Sequence, residues 1–266
     1  MKEILVIKIG GNIIDDEAAL TSFLEQFSKI NQPKILIHGG GKLATQLSSK
    51  LNIETKMIDG RRITDAATIK VVTMVYAGFI NKNIVAKLQS LHCDAIGLSG
   101  ADAKLIQAHK RQHPTIDFGF VGDIDQINTA FLLHLLENNY TPIIAPICAD
   151  NDGNLLNTNA DTIASSIAVA LSKFKTTNLF YCFEKKGLLL DINDNHSCVQ
   201  EIEINEIQNL IDKKIIVDGM IPKVHNIENA IILGVHHVTL CHAEDLMNII
   251  DKNSIFGTTF KKHEKH

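Results

Sequence analysis

Two hydrophobic rhythms alternate along the chain: short apolar runs, and longer stretches with an apolar residue every three or four positions. The run ILVIKIGG (4–11) reads as a strand that ends in glycines, and DDEAALTSFLEQFSKI (15–30) as a helix with acidic residues at its start. Pro33 breaks that helix, and KILIH (34–38) is a second strand. KLATQLSSKL (42–51) predicts a helix, ATIKVVTMVYAGFINKNIVAKLQSL (67–91) a long and largely apolar one, and DAIGLSG (94–100) a third strand and turn. From Lys104 to Val121 short strand-like pieces with Pro114, Gly119 and Gly122 predict hairpins. TAFLLHLLENN (129–139) is a helix, TPIIAPIC (141–148) a strand, DNDGNLLNTNAD (150–161) carries an Asp-Gly turn, and TIASSIAVAL (162–171) is a small-residue helix. Beyond it come the apolar runs LFYCF (179–183) and GLLLDI (187–192), helices EINEIQNLI (203–211) and IPKVHNIENAIIL (221–233), and strands HVTLC (237–241) and IFGTTF (255–260).

This recurring strand–helix order predicts an α/β fold with a mostly parallel sheet and helices on both faces. The polar stretch from Lys173 to Asn178 is the expected seam between two lobes. A length of 266 residues allows one large domain or two modest ones. The formal net charge of -4 argues against a nucleic-acid or membrane-surface protein. No run approaches the roughly 20 apolar residues that span a bilayer, and the first apolar run, interrupted by Lys8, is too short for a signal peptide. Five scattered cysteines without metal-ligand spacing fit reduced, buried thiols in a cytoplasmic protein.

Ligands of open α/β sheets gather beyond the carboxyl ends of strands, and unusual residues fall at such ends. Lys8 lies inside an apolar strand just before Gly10 and Gly11, either reaching into a crevice or snorkelling to the surface. Gly39, Gly40 and Gly41 separate a strand from a helix, where free backbone N–H groups form an anion site, although a tight turn also uses glycine. Neither a P-loop pattern nor GxGxxG is present. In NTNAD, Asn159 or Asp161 caps a helix or faces the crevice with Asn157 to orient a polar substrate and lysines. In DGMIPK, Pro222 fits a first helical turn, which puts Lys223 near an N-terminus that favours anions, or leaves it in solvent.

Taken in order, KIGG at Lys8, HGGG at His38, GRRIT at Gly60, NTNAD at Asn157 and DGMIPK at Asp218 resemble the amino acid kinase family. Within it they are most similar to the members that phosphorylate an N-acylated glutamate, and the resemblance covers nearly the whole chain. It implies a three-layer sandwich with a mainly parallel, eight-stranded open sheet. Residues 1–174 would form an N-terminal lobe for acylglutamate binding and dimerisation, 175–260 a C-terminal lobe for ATP, and 261–266 a tail. The implied reaction is ATP-dependent phosphorylation of the γ-carboxylate of N-acetyl-L-glutamate in arginine biosynthesis. Lys8 and Lys223 would neutralise the transferring phosphoryl group, Asp161 would hold both lysines, and Gly11 and Gly40 would offer backbone N–H groups. Gly40, Gly41, Arg62, Asn157 and Asn159 would bind the acylglutamate. Lys8, Glu184, Lys186, Gly187, Asp218, Gly219, Met220 and Lys223 would line the nucleotide side, with Mg²⁺ carried by ATP rather than by protein ligands.

Two departures stand out. Where many relatives carry a Ser/Thr-Asp-Val-x-Gly run, this chain reads FEKKG (183–187), so Glu184 replaces the aspartate and the added lysines touch phosphates or solvent. Arg61 stands before Arg62 where relatives carry an apolar residue, which raises N-succinyl-L-glutamate as an alternative substrate. Other readings are another carboxylate kinase of the family, or a regulatory binding protein without turnover. The helix YAGFINKNI (76–84) resembles the family's dimer helix, so a homodimer is expected. Because the first strand begins within a few residues of Met1, arginine insensitivity is expected too.

Overall fold

The computed structural model describes residues 3–58, 61–191, 194, 197–216, 220–251 and 257–263. Gly60, Asp218 and Gly219 of the motifs above lie outside the described residues. The strands are β1 (Ile4–Ile9), β2 (Lys34–His38), β3 (Met57–Ile58), β4 (Arg61–Arg62), β5 (Ala95–Leu98), β6 (Ile106–Lys110) and β7 (Gly122–Ile127). They continue with β8 (Thr141–Ile144), β9 (Ile147–Ala149), β10 (Leu155–Asn157), β11 (Thr177–Phe183), β12 (Glu201–Glu203), β13 (His237–His242) and β14 (Thr258–Lys261). The helices are α1 (Gly11–Asp15), α2 (Glu17–Ser28), α3 (Gly41–Lys50), α4 (Ala66–Thr73), α5 (Asn81–Ser90) and α6 (Thr129–Glu137). After them come α7 (Ala160–Ser172), α8 (Ile207–Asp212), α9 (Met220–Ile232) and α10 (Leu246–Ile250).

Eight strands form one sheet in the order β12-β14-β13-β11-β1-β2-β8-β5. Every neighbouring pair is parallel except β13–β14, as the mainly parallel eight-stranded expectation requires. Both faces are covered, which is why β1 is an almost unbroken apolar run. Its two-residue period sends Leu5, Ile7 and Ile9 to the α2 and α5 side, with Phe23, Phe27, Ile84 and Leu88. Ile4 and Val6 go to the other side, with Ile163 and Ile167 of α7 and Val224 and Ile227 of α9. Lys8 follows in the Ile4–Val6 register and so meets α7 and α9.

Several elements depart from the sequence reading. TPIIAPIC is two strands in two sheets: Pro146 has no N–H to continue a ladder, Ile147 N turns back to Ala145 O (2.8 Å), and β9 joins β10, β6 and β7. The hairpin expected within 104–121 closes later, with β7 as the partner of β6. The apolar run GLLLDI forms no strand among its described residues, only an isolated bridge between Leu189 and Cys198. Glu203 ends β12 before α8 begins, and the short helices α1 and α10 were not expected. The long apolar helix runs from α4 to α5, but Met74–Ile80 between them is wound as a π-helix, a wider turn that single-residue periodicity cannot reveal.

Lys34 shows how a buried charge is accommodated here. Only 5% exposed, it donates to the carbonyls of Phe27 (2.8 Å), Ser28 (3.1 Å) and Ile30 (2.6 Å) at the C-terminal end of α2, with its ammonium 4.9 Å from the Phe27 ring centre. Burial lowers its pKa from the ordinary lysine value, so the carbonyls must hold the charged form. Replacing Lys34 by Met takes the ammonium donor from all three carbonyls, of which Phe27 O keeps a backbone bond from Ile30 N–H (3.2 Å), and should lower the unfolding free energy by about 1–3 kcal/mol in urea titrations. An unchanged urea midpoint would contradict this account.

Candidate active site

β1 is the point where strand order turns: β2, β8 and β5 lie to one side, β11 and β13 to the other. A crevice opens beyond the carboxyl ends of such strands. Lys8 enters it from β1, Asp161 from the first turn of α7 and Lys223 from the first turn of α9. Lys8 Nζ lies 2.7 Å from Asp161 Oδ1, an ion pair without aligned hydrogen-bond geometry. Lys223 Nζ donates to Asp161 Oδ2 at 2.9 Å. Burial by itself would raise the Asp161 carboxyl; the ammonium groups of Lys8 and Lys223 outweigh it and hold the pKa at about 2. One carboxylate thus serves two cations, and the cluster keeps one positive charge for an anionic ligand.

The local sequence explains why Asp161 is there. Asn159 caps α7: its Oδ1 accepts from the backbone N–H of Asp161 (2.7 Å) and Thr162 (3.3 Å). Its side-chain amide nitrogen makes no hydrogen bond among the described residues. Tyr181 completes the cluster. It pairs with Lys8 in the β1–β11 register, its hydroxyl donates to Asp161 O (3.1 Å), and Lys223 Nζ sits 4.9 Å from its ring centre. LFYCF reads as plain core; the signal for Tyr181 was one polar-tipped residue in an otherwise apolar strand.

Two glycine turns lie at the carboxyl ends of β1, the strand that carries Lys8, and of its neighbour β2. Gly10 and Gly11 follow β1, Gly39 and Gly40 follow β2, and a Cβ on Gly39 would come 3.9 Å from Gly11 N. Gly40 has φ +143°, and a Cβ there would collide with the Ile80 side chain of the π-wound turn. Only glycine permits both that backbone and that contact. The turn opens α3, whose first N–H groups have no intrahelical acceptor. Arg62 lies over it and is 8% exposed. Its Nη2 donates to Gly41 O (3.0 Å) and Thr45 Oγ1 (2.9 Å), and its Nη1 to Thr55 Oγ1 (3.2 Å). Asn157 reaches the same neighbourhood, donating to Thr64 Oγ1 at 3.0 Å. Arg61, by contrast, is exposed.

The residues expected on a nucleotide side come from several elements. Lys186 pairs with Asp245 (2.9 Å), and Gly187, at φ +149°, packs against Thr258 and Cys198. Glu184 is exposed and lines a separate pocket of about 130 Å³ with Asn12, Asp16, Phe183, His242 and Glu244. Met220 opens α9 and packs against the core. Among the described residues no three His, Cys, Asp or Glu side chains gather as a metal cage.

Residues 3–242 match the model of the amino acid kinase family. The chain belongs to that family. It is 52% identical over 259 residues to an acetylglutamate kinase of Cytophaga hutchinsonii, covering 97% of this chain and 98% of that protein. It is 47% identical over 246 residues to an acetylglutamate kinase of Parabacteroides distasonis, covering 92% of this chain and 96% of that protein. Among solved structures it resembles smu.665 from Streptococcus mutans, with a TM-score of 0.78 and 27% identity, covering 99% of this chain and 100% of that one. No helix among the described residues is long and apolar enough to cross a membrane.

His38, in the family's HGGG run, is fully buried, and burial outweighs the Gly39 carbonyl to push its pKa down from 6.5 to about 4. In the unfolded chain it binds a proton below about pH 6.5, whereas the folded ring stays neutral to about pH 4. Stability from this group is therefore complete at pH 7 and falls by about 3 kcal/mol as pH drops through that window. Urea titrations at pH 7 and 4.5 should show a steeper loss in wild type than in His38→Asn. Equal losses would mean that the ring is not buried neutral.

Proposed function

We infer that this chain catalyses the ATP-dependent phosphorylation of the γ-carboxylate of N-acetyl-L-glutamate, giving N-acetyl-L-glutamyl 5-phosphate in arginine biosynthesis. The observation that carries the chemistry is the Lys8–Asp161–Lys223 cluster beside two glycine turns: net positive charge and free backbone N–H groups. The substrate's attacking carboxylate needs no base, because its pKa of about 4.3 leaves it ionised at neutral pH. Its oxygen forms a bond to the γ-phosphorus as the bond to the bridging oxygen of ADP breaks, and ADP leaves with that electron pair. Catalysis then reduces to alignment and charge neutralisation. Lys8 and Lys223 meet the equatorial phosphoryl oxygens, Asp161 keeps the two ammonium groups apart yet close, and Gly11 and Gly40 donate backbone N–H groups.

Arg62 and Asn157, brought together through Thr64, hold the acylglutamate with Gly40, Gly41 and the amide nitrogen of Asn159. Glu184, Lys186, Gly187, Asp218, Gly219, Met220 and Lys223 bound the nucleotide side. The donor set fits a polyphosphate, whose Mg²⁺ is held by phosphate and water oxygens. This reading divides the chain into an acylglutamate lobe (1–174) and an ATP lobe (175–260), whose last strand β14 takes in Lys261 from the tail expected at 261–266, and it assigns the protein to the cytoplasm. The exposure of Arg61 favours acetyl over succinyl as the acyl group.

An ADP-release assay across N-acetylglutamate, N-succinylglutamate, glutamate and aspartate tests the reading, with N-acetylglutamate the preferred substrate. Lys8→Ala and Lys223→Ala should each lower kcat by about 10²–10³-fold, by analogy with deleting one transition-state donor. Lys223→Ala should also raise KM for ATP, and Arg62→Lys should raise KM for the acylglutamate alone. Turnover near wild type in both lysine variants would place the phosphoryl group elsewhere.

The π-wound turn exposes Met74 (53%) and Phe79 (66%), and nothing lies within 4 Å of a Cβ on Gly78 between them. This apolar strip supports a homodimer paired across the long helix. Light scattering should give twice the 29.4 kDa chain mass for wild type and the single mass for Phe79→Asp. A monomeric wild type would exclude the pairing.

A further inference from the structure

His38 ends β2 at the lip of the crevice, and the reaction as derived gives its ring no task. Its Nδ1 lies 2.9 Å from the carbonyl oxygen of the next residue, Gly39, and its Nε2 3.2 Å from Asn81 Nδ2. Asn81 settles where the proton is. Its Nδ2 also lies 2.9 Å from the carbonyl oxygen of Ile143, which can only accept, so this end of the amide is the NH₂ group. An NH₂ group donates; Nε2 of His38 therefore accepts and carries no proton. The single proton of the neutral ring sits on Nδ1 and is donated to Gly39 O.

That bond acts one atom further along. The Gly39–Gly40 peptide is planar and trans, so its C=O and N–H point in opposite directions. Drawing the Gly39 oxygen down onto the buried imidazole turns the Gly40 N–H away from it, and among the described residues that N–H has no acceptor. The other side of the turn is set by the same helix that supplies Asn81. Ile80 and Tyr76 close on the Cα of Gly40, and Asn81 follows Ile80 directly. Asn81 is itself costly to bury: its Oδ1 is sequestered without a partner. A leucine would leave no such orphan, so the amide is present for what its NH₂ end does.

We propose that His38 is a positioning residue for phosphoryl transfer: held as the Nδ1–H tautomer by Asn81, it aims the Gly40 N–H at the transferring group. This rests on the phosphoryl-transfer reading of the crevice, and the first test does not. Long-range proton–nitrogen NMR spectra of the full chain labelled with ¹⁵N-histidine, with His38 assigned by its loss in His38→Asn, report the tautomer directly. At neutral pH the expected form is neutral with the proton on Nδ1. A proton on Nε2, or a charged ring, would overturn the proposal whatever the enzyme does.

The second test is kinetic. An asparagine amide at position 38 can occupy the place of Nδ1, whereas a glutamine amide reaches only the place of Nε2. His38→Gln and His38→Leu should lose about 10²-fold in kcat, the scale of an ångström-sized misplacement, with far smaller changes in either KM. His38→Asn should recover most of that loss, although its thermal midpoint falls with the others because Asn81 loses its imidazole acceptor. Equal kcat in the Asn and Gln variants, or the reverse order, would overturn the proposal. If Lys8→Ala and Lys223→Ala keep turnover while the tautomer is as expected, the phosphoryl-site reading fails and the His38 hydrogen bond stands.

Discussion

Two ammonium groups cannot share a partly buried crevice unless something negative lies between them, and here that is Asp161. Lys8 and Lys223 reach it from a central strand and from a helix more than two hundred residues later, and each uses a different carboxylate oxygen. The arrangement has directional consequences. The carboxylate stays ionised far below neutral pH, and the lysines are oriented before any ligand arrives. Preorganised charge of this kind is effective because it need not reorganise when negative charge develops on a substrate. The position of Asp161 depends in turn on Asn159, whose cap fixes the first turn of α7, and on Tyr181, which ties the Asp161 backbone to β11.

Around that cluster the fold concentrates backbone geometry that would be unfavourable elsewhere. The β2–α3 turn requires a glycine at φ +143°, and the helix facing it is wound as a π-turn at Met74–Ile80. These two features are one packing solution. The wide turn brings Ile80 and Tyr76 onto Gly40, and the next residue, Asn81, onto His38. The same helix presents Met74 and Phe79 outward. Local strain is retained where surrounding contacts over-determine it, which is why such features gather at sites.

Much of the architecture was legible because it is local. A run apolar on both faces means a strand covered on both sides; acidic starts, Pro33 and the glycines mark element ends. What failed was also physical. In TPIIAPIC the apolar pattern continues through Pro146, but the missing N–H ends one sheet and begins another. The short helices α1 and α10 are too brief to show a period. The π-wound turn keeps the composition of an α-helix and differs only in which carbonyl each N–H reaches.

For the candidate site, residue type and position relative to strand ends singled out Lys8, Gly40, Asn157, Asp161 and Lys223, and their order along the chain placed it in the amino acid kinase family. By itself the sequence determined the α/β class, the glycine turns, a lysine inside an apolar strand and a second near a helix start, because these follow from local periodicity and backbone freedom. It left Lys8 divided between crevice and surface, and Asn159 between cap and ligand contact. Only the tertiary structure decided that both lysines share one carboxylate, that Tyr181 joins the cluster and that His38 is buried against Asn81. Those are relations between residues far apart in the chain, and a distance of 3 Å between them exists only once the sheet has brought their strands and helices side by side.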